Sequence, residues 1–278
     1  MMKNILIPLD PTPFTENAIA YGCELGHQHG AVVTGMGILD TPGIIDSVAQ
    51  VQAYDPGFAS AEMINLERDG KTILQGMLDH FDQVCSAKSV FHRQVEVEGM
   101  PHEAIVQYSA FYDLLILGAR NHFNFETSAV FGDTLSKVLD HSITPLMVVP
   151  QESDPSKHNN ILVAYDASLP SKRALKSYAK LWKHDEKELR LVMSHPDKEY
   201  AHHQLDEAHD FLKTHDVNLV HNVWTESPIE KYLTGDHYDW ADMIVLGAHT
   251  RHGVAEFLFG SLTRELLKRA DKPLFIGL

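Results

Sequence analysis

Cysteine is nearly absent from this chain of 278 residues: Cys23 and Cys85 are the only two, and neither stands in a Cys-x-x-Cys pair. Thiols so sparse and scattered exclude a disulfide framework and point to a reducing, cytoplasmic setting, with both residues serving as small core side chains. No apolar run approaches the ~18 residues that a membrane-spanning helix needs. The opening MMKNILIPLD holds too short an apolar run for a secretory signal. Basic residues are the next shortage. Against 38 Asp and Glu there are 23 Lys and Arg, a formal net charge of -15. Such a surface disfavours nucleic acid, whose phosphates need basic partners, and disfavours anionic membranes; it acts mainly to keep the chain soluble. Hydrolase signatures are missing too: the sequence contains neither HExxH nor GxSxG.

What is present is ordinary globular composition, 44% hydrophobic and 22% charged, long enough for two domains with cores of their own. The chain also repeats itself. Residues 3–10, KNILIPLD, match 159–166, NNILVAYD. Residues 112–120, YDLLILGAR, match 241–249, ADMIVLGAH. VFGDTL at 130–135 matches LFGSLT at 258–263, and ITPLMVVP at 143–150 matches DKPLFIGL at 271–278. Four matches in the same order mark an internal duplication, with expected domains at 1–150 and 151–278 joined by the polar, proline-bearing stretch 151–158. The second copy is shorter between its first strand and its glycine motif. The extra material of the first lies mainly at 40–61, whose Pro, Gly and Asp content predicts a loop with at most a short helical turn.

Within each copy, short apolar runs alternate with amphipathic stretches. Strands are expected at 5–9, 31–39, 90–98, 114–117 and 146–149, with helices at 17–27, 62–85, 102–109 and 133–140. In the second copy strands are expected at 161–165, 188–194, 219–224, 243–246 and 274–276, with helices at 171–182, 201–215, 229–235 and 262–269. This order predicts a doubly wound α/β fold, a five-stranded parallel sheet per copy covered on both faces. Ligands in such sheets bind beyond the carboxyl ends of the strands. Asp10 and Asp166 end the first strands and Gly118 and Gly247 the fourth, so the repeated motifs converge on that crevice.

The glycine motif carries the chemistry. In the second copy Gly247-Ala-His-Thr250 is followed by nine residues and then Gly260-Ser261, at the start of a helix. Glycine lets backbone approach a ligand, and free N–H groups at a helix start favour an anion such as phosphate. A tight turn with a serine cap and no ligand has the same appearance. In this pattern the whole chain resembles a tandem universal stress protein, whose members carry Gly-x2-Gly-x9-Gly-(Ser/Thr) after the fourth strand and an Asp at the end of the first. The resemblance implies two adenine-nucleotide alpha-hydrolase-like domains packed as a pseudo-dimer, with strands 146–149 and 274–276 pairing antiparallel. It implies binding of ATP or AMP, with Mg accompanying ATP. Asp166 would bond the adenine or ribose edge and Met193 would lie near the base. Gly247, Ala248 and His249 would pass under ribose and phosphates, with Thr250 in place of the second glycine, and Gly260, Ser261 and Leu262 would offer N–H groups to phosphate.

The first copy departs further. Asn121 replaces the second glycine, ten residues separate it from Gly132, and Asp133 stands where Ser or Thr belongs. A carboxylate there caps the helix itself and repels phosphate, so the first copy is expected to bind no ATP. Phe123, Phe125 and Phe131 are expected to fill the vacated space. His202, Asp206 and His209 share a helix face at zinc-compatible spacing, yet read more simply as a solvated face. Trp182, Trp224 and Trp240 read as core anchors. The function implied is a nucleotide-binding regulatory protein of the stress response, acting through a protein partner and able to pair again as a homodimer. A nucleotide-free interaction module and a slow ATPase stand as alternatives.

Overall fold

Every expected strand forms, and all ten join one sheet. The computed structural model describes all residues except Met1, Ala53, 124–132, 184–186, 234–235 and 248–260, and side chains except also those of Gln50, Val51, Asp133, Asp236 and Ser261. The first half runs β1 (Asn4–Leu9), α1 (Pro13–His29), β2 (Val32–Leu39), α2 (Thr41–Gln52), α3 (Pro56–Ala87), β3 (His92–Glu98), α4 (Pro101–Ser109), β4 (Leu114–Gly118), α5 (Asp133–His141) and β5 (Leu146–Val149). The second half runs β6 (Asn160–Ala164), α6 (Leu169–Leu181), β7 (Glu188–Ser194), α7 (Lys198–Lys213), β8 (Leu219–Thr225), α8 (Ile229–Tyr232), α9 (Asp236–Trp240), β9 (Met243–Gly247), α10 (Ser261–Arg269) and β10 (Leu274–Gly277).

The strand order is β3-β2-β1-β4-β5-β10-β9-β6-β7-β8, parallel within each half. At the centre β5 and β10 pair antiparallel, with Leu274 opposite Val148, Phe275 opposite Met147 and Ile276 opposite Leu146. Both faces of the sheet are covered, so successive strand residues feed different cores and the runs are apolar throughout. Ile5 and Ile7 join α1, α3, α6 and α7 on one face, while Leu6 joins α4, α5 and α10 on the other.

Local signals set the helix starts. Proline occupies the first turn of α1, α3, α4 and α6, where its missing N–H costs nothing. Asp55 and Asp197 cap α3 and α7, accepting from Phe58 N and Tyr200 N at 3.0 Å. One device recurs in both halves. The Asp113 carboxylate accepts from Lys3 N and Asn4 N, and Asp242 from Asn159 N and Asn160 N, pinning the first strand of each half beside its fourth.

Residues 40–61 are not a loop. They form α2 and the start of α3, because Asp40 accepts from Gly43 N at 3.0 Å and opens a helix that buries Val48. The chain's Pro and Gly fall at helix starts here and do not break the helices. The expected helix 229–235 is instead α8, with a separate α9 beginning at Asp236. Trp182 is buried against Tyr178 and Phe275 beside the central seam. Trp224 and Trp240 are only half-buried, and each carries a cation on its ring: Lys198 at 5.2 Å and Arg190 at 3.6 Å. Cys23 and Cys85 are buried thiols with sulfurs 3.5 Å apart. No helix among the described residues is long and apolar enough to cross a membrane.

The joint between the halves is polar and titratable. Asn17 donates to Pro150 O and Ser153 Oγ, and Tyr21 meets Ser153 Oγ at 3.0 Å, strapping the connecting segment to α1. At the other end of α1, His29 is buried with neither ring nitrogen hydrogen-bonded. Burial, aided by Lys183, Lys187 and His158, pushes its pKa down to about 4. His158 is lowered in the same direction by burial and Lys187. A histidine depressed on folding binds fewer protons than its unfolded form between the two pKa values, so acid favours unfolding. Stability should hold above pH ~6.5 and fall by about 3 kcal/mol from His29 alone as pH drops toward ~4, with His158 adding in the same direction. Urea unfolding of the intact protein across that range should show the slope, and His29→Phe should reduce it, leaving the smaller share of His158.

Candidate functional site

The carboxyl ends of β6, β7 and β9 surround a cavity of about 340 Å³. It lies where β6 is flanked by β7 on one side and β9 on the other, the switch point at which doubly wound sheets open a crevice. Tyr165 and Asp166 follow β6, Ser194 ends β7, Gly247 ends β9, and Leu262 and Thr263 open α10; all line the cavity. Ala164, Leu246 and Ile229 give it an apolar side, and Glu230 adds a second carboxylate. No Lys or Arg lines it among the described residues.

The loop after β6 is shaped tightly. Ala167 adopts φ 61, a left-handed conformation that costs a non-glycine residue about 1–2 kcal/mol. That turn lets Asp166 accept from Ser168 N at 3.0 Å while staying exposed on the cavity wall, and Ser168 caps α6. Tyr165 is buried, and its pKa is pushed up to about 12 by burial and then by the Glu207 and Asp166 carboxylates.

Of the residues expected at the site, Asp166, Gly247 and Leu262 meet at the cavity. Ser261 begins α10, and its side chain is outside the described set; Ala248, His249, Thr250 and Gly260 lie outside the described residues altogether. Met193 is buried in the core cluster that holds Tyr165, Ala201 and Leu205. Strand alternation turns it toward the α6–α7 face, and Ser194 takes the place at the cavity. Ser171, Ile229, Glu230 and Thr263 also line the cavity without having been singled out in the sequence. The spacing of Thr263, two residues into the helix after the glycine motif, was the one available sign.

Gly247 has a requirement of its own. A Cβ there would fall 2.3 Å from Pro170 C and 2.5 Å from Ser171 N. The close approach is thus to the start of α6. Gly118 does the same in the first half, where a Cβ would meet Phe14 Cβ at 2.5 Å.

The first half treats its aspartate differently. Asp10 is buried, and its Oδ1 accepts from Thr12 N, Thr12 Oγ1 and Thr15 Oγ1 at 3.1, 2.7 and 2.5 Å. Its Oδ2 accepts from His122 N at 2.6 Å. Phe123 is buried in the core cluster of Leu117 and Leu135; Phe125 and Phe131 lie outside the described residues, as does Gly132. The Asp133 backbone starts α5. On α7, Asn222 of β8 meets His209 and donates to Asp206, while His202 faces the Trp224 ring. Among the described residues no group of three or more His, Cys, Asp or Glu could hold a metal ion.

A family model, described as the universal stress protein family, matches residues 1–150 and 193–276. The chain belongs to the universal stress protein family. No curated protein matches it. Among solved structures, a universal stress protein from Archaeoglobus fulgidus is 19% identical, with 98% of this chain and 95% of that one aligned at a TM-score of 0.69. A putative universal stress protein from Pseudomonas aeruginosa is 13% identical, with 99% and 92% aligned at 0.63. The cytoplasmic domain of a prokaryotic cation chloride cotransporter is 12% identical, with 100% and 96% aligned at 0.60. At these identities the likeness is one of fold: the tandem α/β architecture of the universal stress proteins is shared along the full chain.

Two substitutions separate the halves. Asp10→Ala strands four donors that are satisfied today and should destabilise the protein by about 2–4 kcal/mol, whereas Asp166→Ala, on an exposed side chain, should cost under ~1 kcal/mol. Gly247→Ala drives a methyl into the Pro170 backbone and should cost about 1–3 kcal/mol. Denaturant midpoints of the three variants check all of these.

Proposed function

We propose that this universal stress protein binds an adenine nucleotide, AMP or ATP, in the cavity of its second half and acts as a regulatory protein. The observation that carries the reading is the convergence of Asp166, the apolar wall and the start of α10 on one cavity at the switch point of the sheet. Ala164, Leu246 and Ile229 offer an apolar surface to the base, and the Asp166 carboxylate accepts from the adenine amine or a ribose hydroxyl. A helix start such as that of α10 favours phosphate through its backbone N–H groups. Gly247, Ala248, His249, Thr250, Gly260, Ser261 and Leu262 are assigned to the ribose and phosphate side. Met193 supports the site from the core and does not touch the ligand.

In this reading 1–150 and 151–278 are the two domains, and the first is the structural partner of the second. The locked Asp10 supports that division, because a carboxylate already holding four donors has no capacity left for a ligand. Asp166 and Glu230 make the cavity acidic, so a doubly charged AMP or a Mg-neutralised ATP is favoured over bare ATP. Carboxylate oxygens are also the donors Mg²⁺ takes. The protein would then signal from the cytoplasm by ligand-dependent stabilisation or recruitment of a protein partner, as a monomer or as a homodimer.

Gly247 favours a second reading. Its need is met by the start of α6 without any ligand, so a nucleotide-free interaction module is the alternative. Calorimetric titration with AMP, ATP and ATP plus Mg²⁺ decides between them. One site per chain is expected, tighter for ATP when Mg²⁺ is present, weakened at least tenfold by Asp166→Ala and abolished by Gly260→Glu. No binding of any nucleotide by the intact protein would leave the interaction-module reading. Phosphate release on incubation with ATP would instead mark a slow ATPase.

A further inference from the structure

A second cavity, of about 310 Å³, opens between α6 and α7 on the far side of Tyr165 from the first. Its floor is apolar: Tyr165, Leu175 and Ala208 are buried and Phe211 is half-buried. In the first half the matching pair of helices is α1 and α3. There α3 packs against α1, and His80 on α3 bonds Glu16 on α1 at 2.9 Å. In the second half Lys172 and Lys176, one helical turn apart on α6, stand exposed at the mouth of the gap. Neither ammonium group makes an ion pair or hydrogen bond with any described residue. Glu207, on the α7 rim, is instead beside His203 at 3.8 Å.

This arrangement is unusual for so acidic a chain. Like charges at i and i+4 on a helix repel each other, and Glu207, the one carboxylate lining the cleft among the described residues, pairs with His203 and makes no ion pair with either lysine. An apolar floor with two lysines and a single carboxylate, Glu207, at its edge describes a receptor for an amphipathic anion. At about 30 Å³ for a water-sized group, the cavity has room for roughly ten such groups.

We propose that the cleft between α6 and α7 is a ligand site for a medium-chain aliphatic monocarboxylate, its tail on Leu175, Ala208 and Phe211 and its carboxylate between Lys172 and Lys176. The two lysines leave one net positive charge after Glu207 is counted, which suits a single negative head group. The site is separate from the nucleotide cavity and does not depend on the reading given to it.

Sodium decanoate, kept below its micellar concentration, is the probe. Calorimetric titration of the full chain should give one saturable site, and decanoate should raise the melting temperature. The double variant Lys172→Glu, Lys176→Glu changes only exposed side chains, so it should melt within a few degrees of the parent while binding decanoate at least tenfold more weakly. Tyr165→Phe keeps the packing and should weaken binding by a smaller factor. Absence of saturable binding by the parent overturns the proposal, and so does undiminished binding by the charge-reversed protein, which would place the ligand elsewhere.

Discussion

The antiparallel pairing of β5 with β10 is the contact on which the architecture rests. Each half taken alone would end in a short, wholly apolar strand with a row of unpaired backbone groups, an edge that invites aggregation. Pairing the two edges satisfies both at once and buries Met147 opposite Phe275. It also moves the remaining edges outward to β3 and β8. β3, HRQVEVE, exposes Arg93, Gln94, Glu96 and Glu98, and β8, LVHNVWT, exposes His221 beside Leu219. Apolar content therefore falls from the middle of the sheet to its rims, and the rims are where a free edge does least harm. The aromatic cluster of Tyr178, Trp182 and Phe275 thickens the core just beside the seam.

That geometry constrains the site as well. A parallel sheet places all its strand ends of one polarity along one line, so the cavity could only form there. What widens or closes it is the way helices meet those ends. Gly247 lets α6 come close enough for Ser168, Ser171 and Asp166 to share the cavity wall with the start of α10. The same residue type can satisfy packing and ligand approach together, and the motif by itself does not separate the two demands.

Much of this was legible in the sequence because it depends on periodicity and repetition. The duplicated KNILIPLD and NNILVAYD segments announced the first strand of each half, and the seam between the last strands came from the family resemblance. The helical hairpin at 40–61 was hidden because proline and glycine signal loops only when they fall inside an element; at a first turn, capped by Asp40, they start one. Met193 was placed near a base by likeness, yet its position in an alternating strand turns it into the core. The most instructive case is the aspartate pair. Asp10 and Asp166 stand in matching contexts, with threonines after the first where serines follow the second. Their fates differ because His122, far along the chain, returns its N–H to Asp10, and because Thr12 and Thr15 supply hydroxyls at positions where the second copy has Ser168 and Ser171, which bond each other and the α6 backbone instead.

Charge distribution then separates what the second half can accept. The cavity at the strand ends is walled by Asp166 and Glu230, so an anion entering it must be met by helix-start N–H groups or bring its own cation. A few ångströms of buried Tyr165 away, the cleft between α6 and α7 presents the opposite field, from Lys172 and Lys176. In the two proposals made above, sites of opposite sign on either side of Tyr165 would discriminate by head group before shape is consulted, because the wrong ligand would meet repulsion at the mouth. In the first half Asp10 already holds two backbone N–H groups and two threonine hydroxyls, and α3 packs against α1.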